Sequence, residues 1–259
     1  MPTRSWPGQL LRVPPAATAL SLQPCTLAGL MLAPASPEAP PTSTQASPGL
    51  LGPEQPFGSI TLPLILSGSL RLSPEQFAEL CQANPDAVLE LAADGSLICM
   101  TPTGSETGAR NAALAFLIQT WARASGSWKA FDSSTGFRLP DDSVLSTDVS
   151  LVDLDRWQAL TAEQRRGFAP LCPDLVVELA SPCDEGPRSL NALRQKMADY
   201  QRNVALLGWL LIPAERAVEV WGPLADPPAP PRRLEAATRL DGDPQFPGLA
   251  IDLEEIWAG

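Results

Sequence analysis

The chain has 259 residues, a hydrophobic content of 44%, a formal net charge of −11 and no histidine. This composition is sufficient for a folded core, and no apolar run approaches the roughly 18 residues of a membrane span. The acidic charge argues against a large non-specific DNA-binding surface. The lack of histidine excludes Ser-His-Asp and Cys-His catalysis and histidine-ligated zinc.

Any enzymatic chemistry must therefore use carboxylates, arginines, the two lysines Lys129 and Lys196, or a metal held by oxygen atoms. Mg²⁺ accepts such all-oxygen sites. The five cysteines form no CxxC pair, which is typical of reduced thiols, so we expect a cytoplasmic location. Ala16–Leu32 is apolar, but Pro24 interrupts it and no convincing cleavage site follows, so no signal peptide is predicted.

Residues 1–58 are rich in proline, alanine, serine and threonine and show almost no helical or strand periodicity. Such a segment cannot bury enough apolar surface to offset the entropy lost on ordering. We predict a disordered tail at 1–58 and a folded domain at 59–259.

The folded part begins with a helix signal. Ser73 is a predicted N-cap, Pro74 occupies the first helical position and Gln76 completes a capping box, so a helix should run to about Ala83. Asp94-Gly95 then predicts the turn of a hairpin. Further strands are predicted at 128–139, 147–152, 175–180, 206–212, 218–221 and 250–253, and further helices at 108–124, 162–166 and 187–202. This alternation indicates an α/β or α+β sheet with helices on its faces.

Two carboxylates interrupt apolar strands. Glu178 lies in the middle of the predicted strand 175–180, and Asp148 lies within the predicted strand 147–152 on the same face as Ser150. A carboxylate buried in this way needs a partner, and a metal is one candidate. If the strands are neighbours, the two side chains could converge. A structural explanation stays open for each: Glu178 could pair with an arginine, and Asp148 could accept hydrogen bonds from the backbone.

Lys196 borders the apolar stripe of the predicted helix 187–202, which the residues Leu190, Leu193, Met197 and Tyr200 form. Its long side chain could carry an ammonium towards the carboxylates. The alternative is a lysine at the edge of the core whose charge reaches solvent.

Six segments in fixed order resemble the Uma-type family of restriction endonucleases, a branch of the PD-(D/E)XK nuclease superfamily. The resemblance extends from Ser73 to the C-terminus. Its segments are Met100-Thr-Pro-Thr-Gly-Ser-Glu-Thr-Gly108, Phe131-Asp-Ser-Ser-Thr-Gly-Phe-Arg-Leu139, Thr147-Asp-Val-Ser150, Pro173-Asp-Leu-Val-Val-Glu-Leu-Ala-Ser-Pro182, Gln195-Lys-Met-Ala-Asp-Tyr200 and Gly208-Trp-Leu-Leu-Ile-Pro213.

This resemblance implies a restriction-endonuclease-like core, in which helices flank a four-stranded mixed β-sheet. It assigns catalytic and metal-binding roles to Asp148, to Glu178 and to Glu90, which completes the metal site. The superfamily's usual lysine position is Ala180 here, so the catalytic role passes to Lys196. Asp174 also matches the family pattern. The chain departs from that pattern at Cys183, where serine is expected, and at Asn111, where relatives often carry histidine.

The implied activity is a Mg²⁺- or Mn²⁺-dependent endonuclease that hydrolyses phosphodiester bonds of nucleic acid, with DNA as the first candidate. No membrane partner is expected, and a homodimer is one expected assembly. Two alternatives stay open. The first is a catalytically inactive nuclease-fold accessory or binding protein, and the second is an oligomeric interaction protein with Trp209 and Trp221 at an interface.

Overall fold

The computed structural model of the chain describes residues 70–100, 102–182, 187–223, 225 and 229–259. The predicted tail at 1–58, its boundary at residue 59 and the loop residue Cys183 lie outside these ranges. In the described part, no helix has the length and apolar character needed to cross a bilayer. The described cysteines, Cys81, Cys99 and Cys172, are free thiols.

Helices and strands alternate along the chain. The helices are α1 (Pro74–Ala83), α2 (Ser105–Ser125), α3 (Leu154–Ala159), α4 (Ala162–Arg166), α5 (Pro187–Arg202) and α6 (Glu254–Ala258). The strands are β1 (Val88–Leu91), β2 (Leu97–Met100), β3 (Trp128–Asp132), β4 (Gly136–Arg138), β5 (Val144–Ser146), β6 (Val149–Asp153), β7 (Leu175–Leu179), β8 (Leu207–Ile212), β9 (Ala217–Trp221), β10 (Arg232–Leu234), β11 (Arg239–Asp241) and β12 (Ala250–Asp252).

The largest sheet has the strand order β10-β9-β8-β7-β6-β3. Strands β7 and β8 are parallel and the other neighbours are antiparallel, so the sheet is mixed. Helix α2 packs against one face and α5 against the other. The predicted fold class, a mixed sheet flanked by helices, is confirmed. The sheet has six strands where four were expected, because β3 and β10 pair with its two outer sides.

A second sheet has the order β2-β1-β5-β4. Its first two strands are the predicted hairpin, and Gly95 has a φ of +78°, a conformation that favours glycine at this turn. Helix α1 precedes the hairpin. The Ser73 hydroxyl accepts from the Gln76 backbone, and the Gln76 side chain accepts from the Ser73 backbone, so the predicted capping box is confirmed.

Three expectations need correction. The extended segment 128–139 is divided between β3 and β4, which belong to different sheets. Asp148 lies just before β6 rather than within a strand, because its side chain accepts a hydrogen bond from the Leu179 backbone at the end of the ladder. Trp209 and Trp221 are buried in the protein's own core, on opposite faces of the sheet, and neither is available as an interface residue.

Candidate active site

Glu178 is the fourth residue of β7 and is almost fully buried. Alternation along β7 directs Leu175, Val177 and Leu179 towards the α2 side of the sheet. Glu178 therefore shares the α5 side with Val176, which packs in the cluster that includes the apolar residues of α5. The sequence prediction of its strand and face is confirmed, and the buried carboxylate needs compensation on this side.

Asp148 lies beside Glu178 because β6 and β7 are antiparallel neighbours. Val149 pairs with Val177, so Asp148, which precedes Val149, lies opposite Glu178, which follows Val177. Oδ2 of Asp148 accepts a hydrogen bond from the Leu179 backbone N–H at 2.7 Å. The strands β6 and β7 are neighbours, and Asp148 and Glu178 therefore lie at the same end of the sheet.

Lys196 extends from α5 into this group of carboxylates. Its Nζ lies 2.9 Å from Oε1 of Glu90 and 3.0 Å from Oε1 of Glu178. The side chain of Lys196 is 14% exposed, and those of Glu90 and Glu178 are 3% and 6% exposed. The ammonium is thus inside the protein and does not reach solvent in the way that the alternative explanation required.

Close packing of α5 on the sheet brings Lys196 to this depth. Met197 and Tyr200 are fully buried in the core on the α5 side. Gly208 of β8 faces Met197 directly, and a Cβ atom at position 208 would collide with Met197 Cε. The absence of a side chain at Gly208 therefore leaves room for the Met197 side chain between α5 and the strand.

Glu90 comes from β1, in the four-stranded sheet. Its Oε1 accepts hydrogen bonds from the Ser146 backbone N–H at 3.0 Å and from the Ser146 hydroxyl at 2.8 Å, in addition to the contact with Lys196. Ser146 ends β5, which pairs with β1. Glu90 thus connects the four-stranded sheet to the Lys196 ammonium. The contribution of Ser146 was not predicted, because its strand was not.

The buried cluster alters the acidity of its members. Burial raises the pKa of Glu178 to about 8, against the opposing effect of the Lys196 charge and with the support of the negative charges of Asp148 and Glu90. Burial alone would lower the pKa of Lys196, but the Glu178 and Glu90 carboxylates outweigh it and raise that pKa. The lysine therefore stays protonated, while Glu178 tends to hold a proton near neutral pH.

The donor chemistry of this cluster fits a hard divalent cation. Asp148, Glu178 and Glu90 offer carboxylate oxygens, the ligands that Mg²⁺ and Mn²⁺ prefer, and three carboxylates exceed the single charge of Lys196. Across the described ranges, however, no three acidic or cysteine side chains already surround a common point suited to a metal. Asp148 and Glu178 are the better-placed pair, because β6 and β7 are neighbours in one sheet whereas Glu90 belongs to the other sheet.

Two further residues show where sequence reasoning fell short. Asn111 of α2 donates from Nδ2 to Oδ1 of Asp148 at 2.7 Å, a contact between residues far apart in the chain. Asp174 lies at the other end of β7, where it binds the Arg156 side chain and accepts from the Asp153 backbone. The match of Asp174 to the family pattern thus corresponds to a structural ion pair.

A cavity of about 390 Å³ lies at the carboxyl ends of β7 and β8, next to Ala180 and Ser181. Its charged lining residues are Arg110, Glu106 and Glu215. Arg110 donates to Glu106 and to the Ile256 carbonyl. Two glutamates and one already engaged arginine do not make this cavity a basic cleft.

Helices on both faces of a mixed sheet, with one carboxylate in β7, a second directly before the neighbouring β6 and a lysine from the next helix, define a restriction-endonuclease-like protein. The chain belongs to the Uma2 family, described as "Putative restriction endonuclease", whose family model matches residues 74–254. The resemblance seen in the sequence is thereby confirmed.

The chain is also similar to a solved structure, a "putative nuclease belonging to DUF820 from Anabaena variabilis ATCC 29413". The two chains are 16% identical, and the superposition has a TM-score of 0.58 and covers 72% of this chain and 98% of the other. At this identity the similarity supports the fold. No curated protein matches the chain.

Proposed function

We propose that the protein is a metal-dependent endonuclease that hydrolyses phosphodiester bonds of nucleic acid, with DNA as the first substrate to test. Membership of the Uma2 family supports the class. The observation that carries the proposal is the contact of Lys196 Nζ with Glu178 Oε1 at 3.0 Å, beside Asp148 on the neighbouring strand. A buried ammonium beside a buried carboxylate, both with strongly shifted pKa values, marks a candidate functional site.

Asp148 and Glu178 would hold the divalent cation, Mg²⁺ or Mn²⁺, and Glu90 is the predicted third acidic residue of the metal site. The bound cation would supply Lewis-acid stabilisation of the phosphoryl oxygens and a more acidic water. Glu178 must lose its proton to act as a ligand, and because burial raises its pKa to about 8, this loss is favoured only at alkaline pH or by the bound cation itself.

Lys196 is assigned to the reacting group itself. Its ammonium orients the attacking water or stabilises the negative charge that develops on the phosphate. Glu90 and Ser146 hold the ammonium in place through the shared Oε1 atom. Because a fixed charge needs no reorganisation during the reaction, this support increases the contribution of Lys196 to catalysis.

A second candidate function keeps the fold without the activity, as an inactive accessory or nucleic-acid-binding protein. Two observations favour it. Glu90 and Glu178 are nearly closed to solvent and both lie within 3.0 Å of the Lys196 ammonium, as in a structural ion pair. The neighbouring cavity also lacks an excess of positive charge. A cytoplasmic location and a homodimer stay predictions under both candidates.

Incubation of the protein with double-stranded DNA, single-stranded DNA and RNA tests the proposal, with Mg²⁺, with Mn²⁺ and with EDTA. The proposal predicts cleavage of at least one substrate with either cation, none with EDTA, and none by the Asp148→Ala protein. If the wild-type protein cleaves nothing and calorimetry detects no binding of Mg²⁺ or Mn²⁺, the inactive candidate is correct. Cleavage by the Asp148→Ala protein at the wild-type rate would contradict the assigned site.

A further inference from the structure

Asn111 is the residue beside the candidate site whose chemistry the proposed function does not use. It lies on α2, and its Nδ2 donates to Oδ1 of Asp148 at 2.7 Å. The other oxygen of Asp148 accepts from the Leu179 backbone N–H, also at 2.7 Å. Donors from a helix and from a strand therefore hold the two oxygens of one carboxylate, and this fixes the plane of the carboxylate.

The orientation of the Asn111 amide follows from the same contact. An ionised carboxylate only accepts hydrogen bonds, so the NH₂ group and not the carbonyl must face Asp148. Oδ1 of Asn111 is then directed elsewhere, and this buried atom meets no hydrogen-bond donor within the described ranges. An unpaired buried acceptor destabilises the folded protein.

This cost indicates a role other than stability. A residue that served only to pack α2 on the sheet could be an apolar side chain, which has no acceptor of its own to leave unpaired. The amide is instead retained next to the carboxylate that the proposed function assigns to a cation. Polar groups that orient a ligand in this way commonly alter metal affinity 10- to 100-fold.

We propose that Asn111 is a positioning residue that orients the Asp148 carboxylate for a divalent cation. The inference rests on the proposed metal site. It adds to that site a side chain that donates to the ligand and fixes the plane of its carboxylate.

Calorimetric titration with Mg²⁺ tests this role in the full-length protein. The Asn111→Leu protein should bind the ion about 10- to 100-fold more weakly than the wild-type protein. Its melting temperature should change little, because removal of the unpaired Oδ1 acceptor offsets loss of the hydrogen bond that Asn111 donates to Asp148. Asn111→Gln keeps the amide on a side chain that is one methylene longer, and it should restore part of the affinity. It also tests the contact if the leucine variant does not fold.

Gln119→Leu is the matched control, because it makes the same change from an amide on the same helix, about 12 Å further along its axis. It should bind Mg²⁺ as the wild-type protein does. The inference is overturned if Asn111→Leu keeps wild-type affinity, or if its melting temperature falls while its affinity does not. If Asp148→Ala loses Mg²⁺ binding in either case, the proposed metal site still stands and only the role of Asn111 is wrong. Absence of binding in the wild-type protein would overturn the metal site and this inference together.

Discussion

The ammonium of Lys196 lies 3.0 Å from the carboxylate of Glu178, although one belongs to α5 and the other to β7. Ala180 occupies the strand position at which the superfamily pattern places a lysine. The helix supplies the positive charge that the strand lacks, and Gly208 allows the close packing that this requires.

Replacement of Lys196 by methionine should destabilise the protein, because it leaves Glu90 and Glu178 buried without their cation. We expect the free energy of unfolding to fall by about 3 kcal/mol at pH 8, and by less at pH 5, where the carboxyls can be protonated. Urea denaturation at both pH values measures this difference.

The other lysine provides the control for this substitution. Lys129 Nζ lies 5.7 Å from the ring centre of Phe131 and 5.6 Å from that of Trp157, and such contacts are worth about 0.5–1 kcal/mol at exposed sites. Lys129→Met should therefore cost less than about 1 kcal/mol at either pH. Equal losses in the two variants would show that the buried ion pair does not stabilise the fold.

The raised pKa of Glu178 predicts a pH dependence of stability. The folded protein holds this proton up to about pH 8, whereas the unfolded chain releases it near 4.5. The contribution of Glu178 to the free energy of unfolding therefore falls as the pH rises between these values, by at most about 1.4 kcal/mol per unit. Glu178→Gln removes this proton, so its stability relative to the wild-type protein should increase from pH 5 to pH 8. Urea denaturation in the presence of EDTA measures the free energy of unfolding of both proteins at each pH. A difference between them that does not change with pH would contradict the raised pKa of Glu178.

Gly208→Ala should lower both stability and activity. The added methyl group would collide with Met197 Cε and lie 3.2 Å from Trp221 Cβ, so the buried Met197 side chain must move. We expect a loss of about 1–3 kcal/mol in thermal or urea denaturation, together with slower cleavage, because Met197 adjoins Lys196 on α5. Gly108→Ala is the contrasting variant. Position 108 is open and helical, so stability should increase by up to about 1 kcal/mol. A Gly208→Ala protein that matches the wild type would contradict the packing argument.

Ser146→Ala separates stability from catalysis. The Ser146 hydroxyl donates to Glu90 at 2.8 Å, and the Ser143 hydroxyl donates to Asp141 at 2.6 Å in the same part of the chain. Each alanine variant should lose about 1 kcal/mol in urea denaturation. Only Ser146→Ala should slow cleavage, since only Glu90 contacts Lys196. An equal effect of both variants on the cleavage rate would remove the positioning role of Glu90.

Local patterns in the sequence predicted much of this fold. The Ser73 capping box, the Asp94-Gly95 turn and the limits of the helix 187–202 depend on neighbouring residues, and the structure has each of them. The alternation around Glu178 predicted its face correctly. Patterns with a period of two or of about 3.6 residues report such local choices directly.

The remaining features depend on partners far away in the chain. Strand β5 has three residues and forms by pairing with β4 and β1, so its own sequence carries little signal. Asp148 lies outside its strand because Leu179 and Asn111 bind its oxygens. Nothing near Ser146 in the sequence indicates that it contacts Glu90. Tertiary contacts of this kind override local propensity.

The most direct test of the central claim compares two buried carboxylates of the same strand region. Asp174 and Glu178 lie towards opposite ends of β7, and only Glu178 contacts Lys196. With Mg²⁺ and a DNA substrate that the wild-type protein cleaves, Glu178→Gln should lose detectable cleavage, whereas Asp174→Asn should cleave at a rate near that of the wild type. Undiminished cleavage by Glu178→Gln would contradict the assignment of the active site.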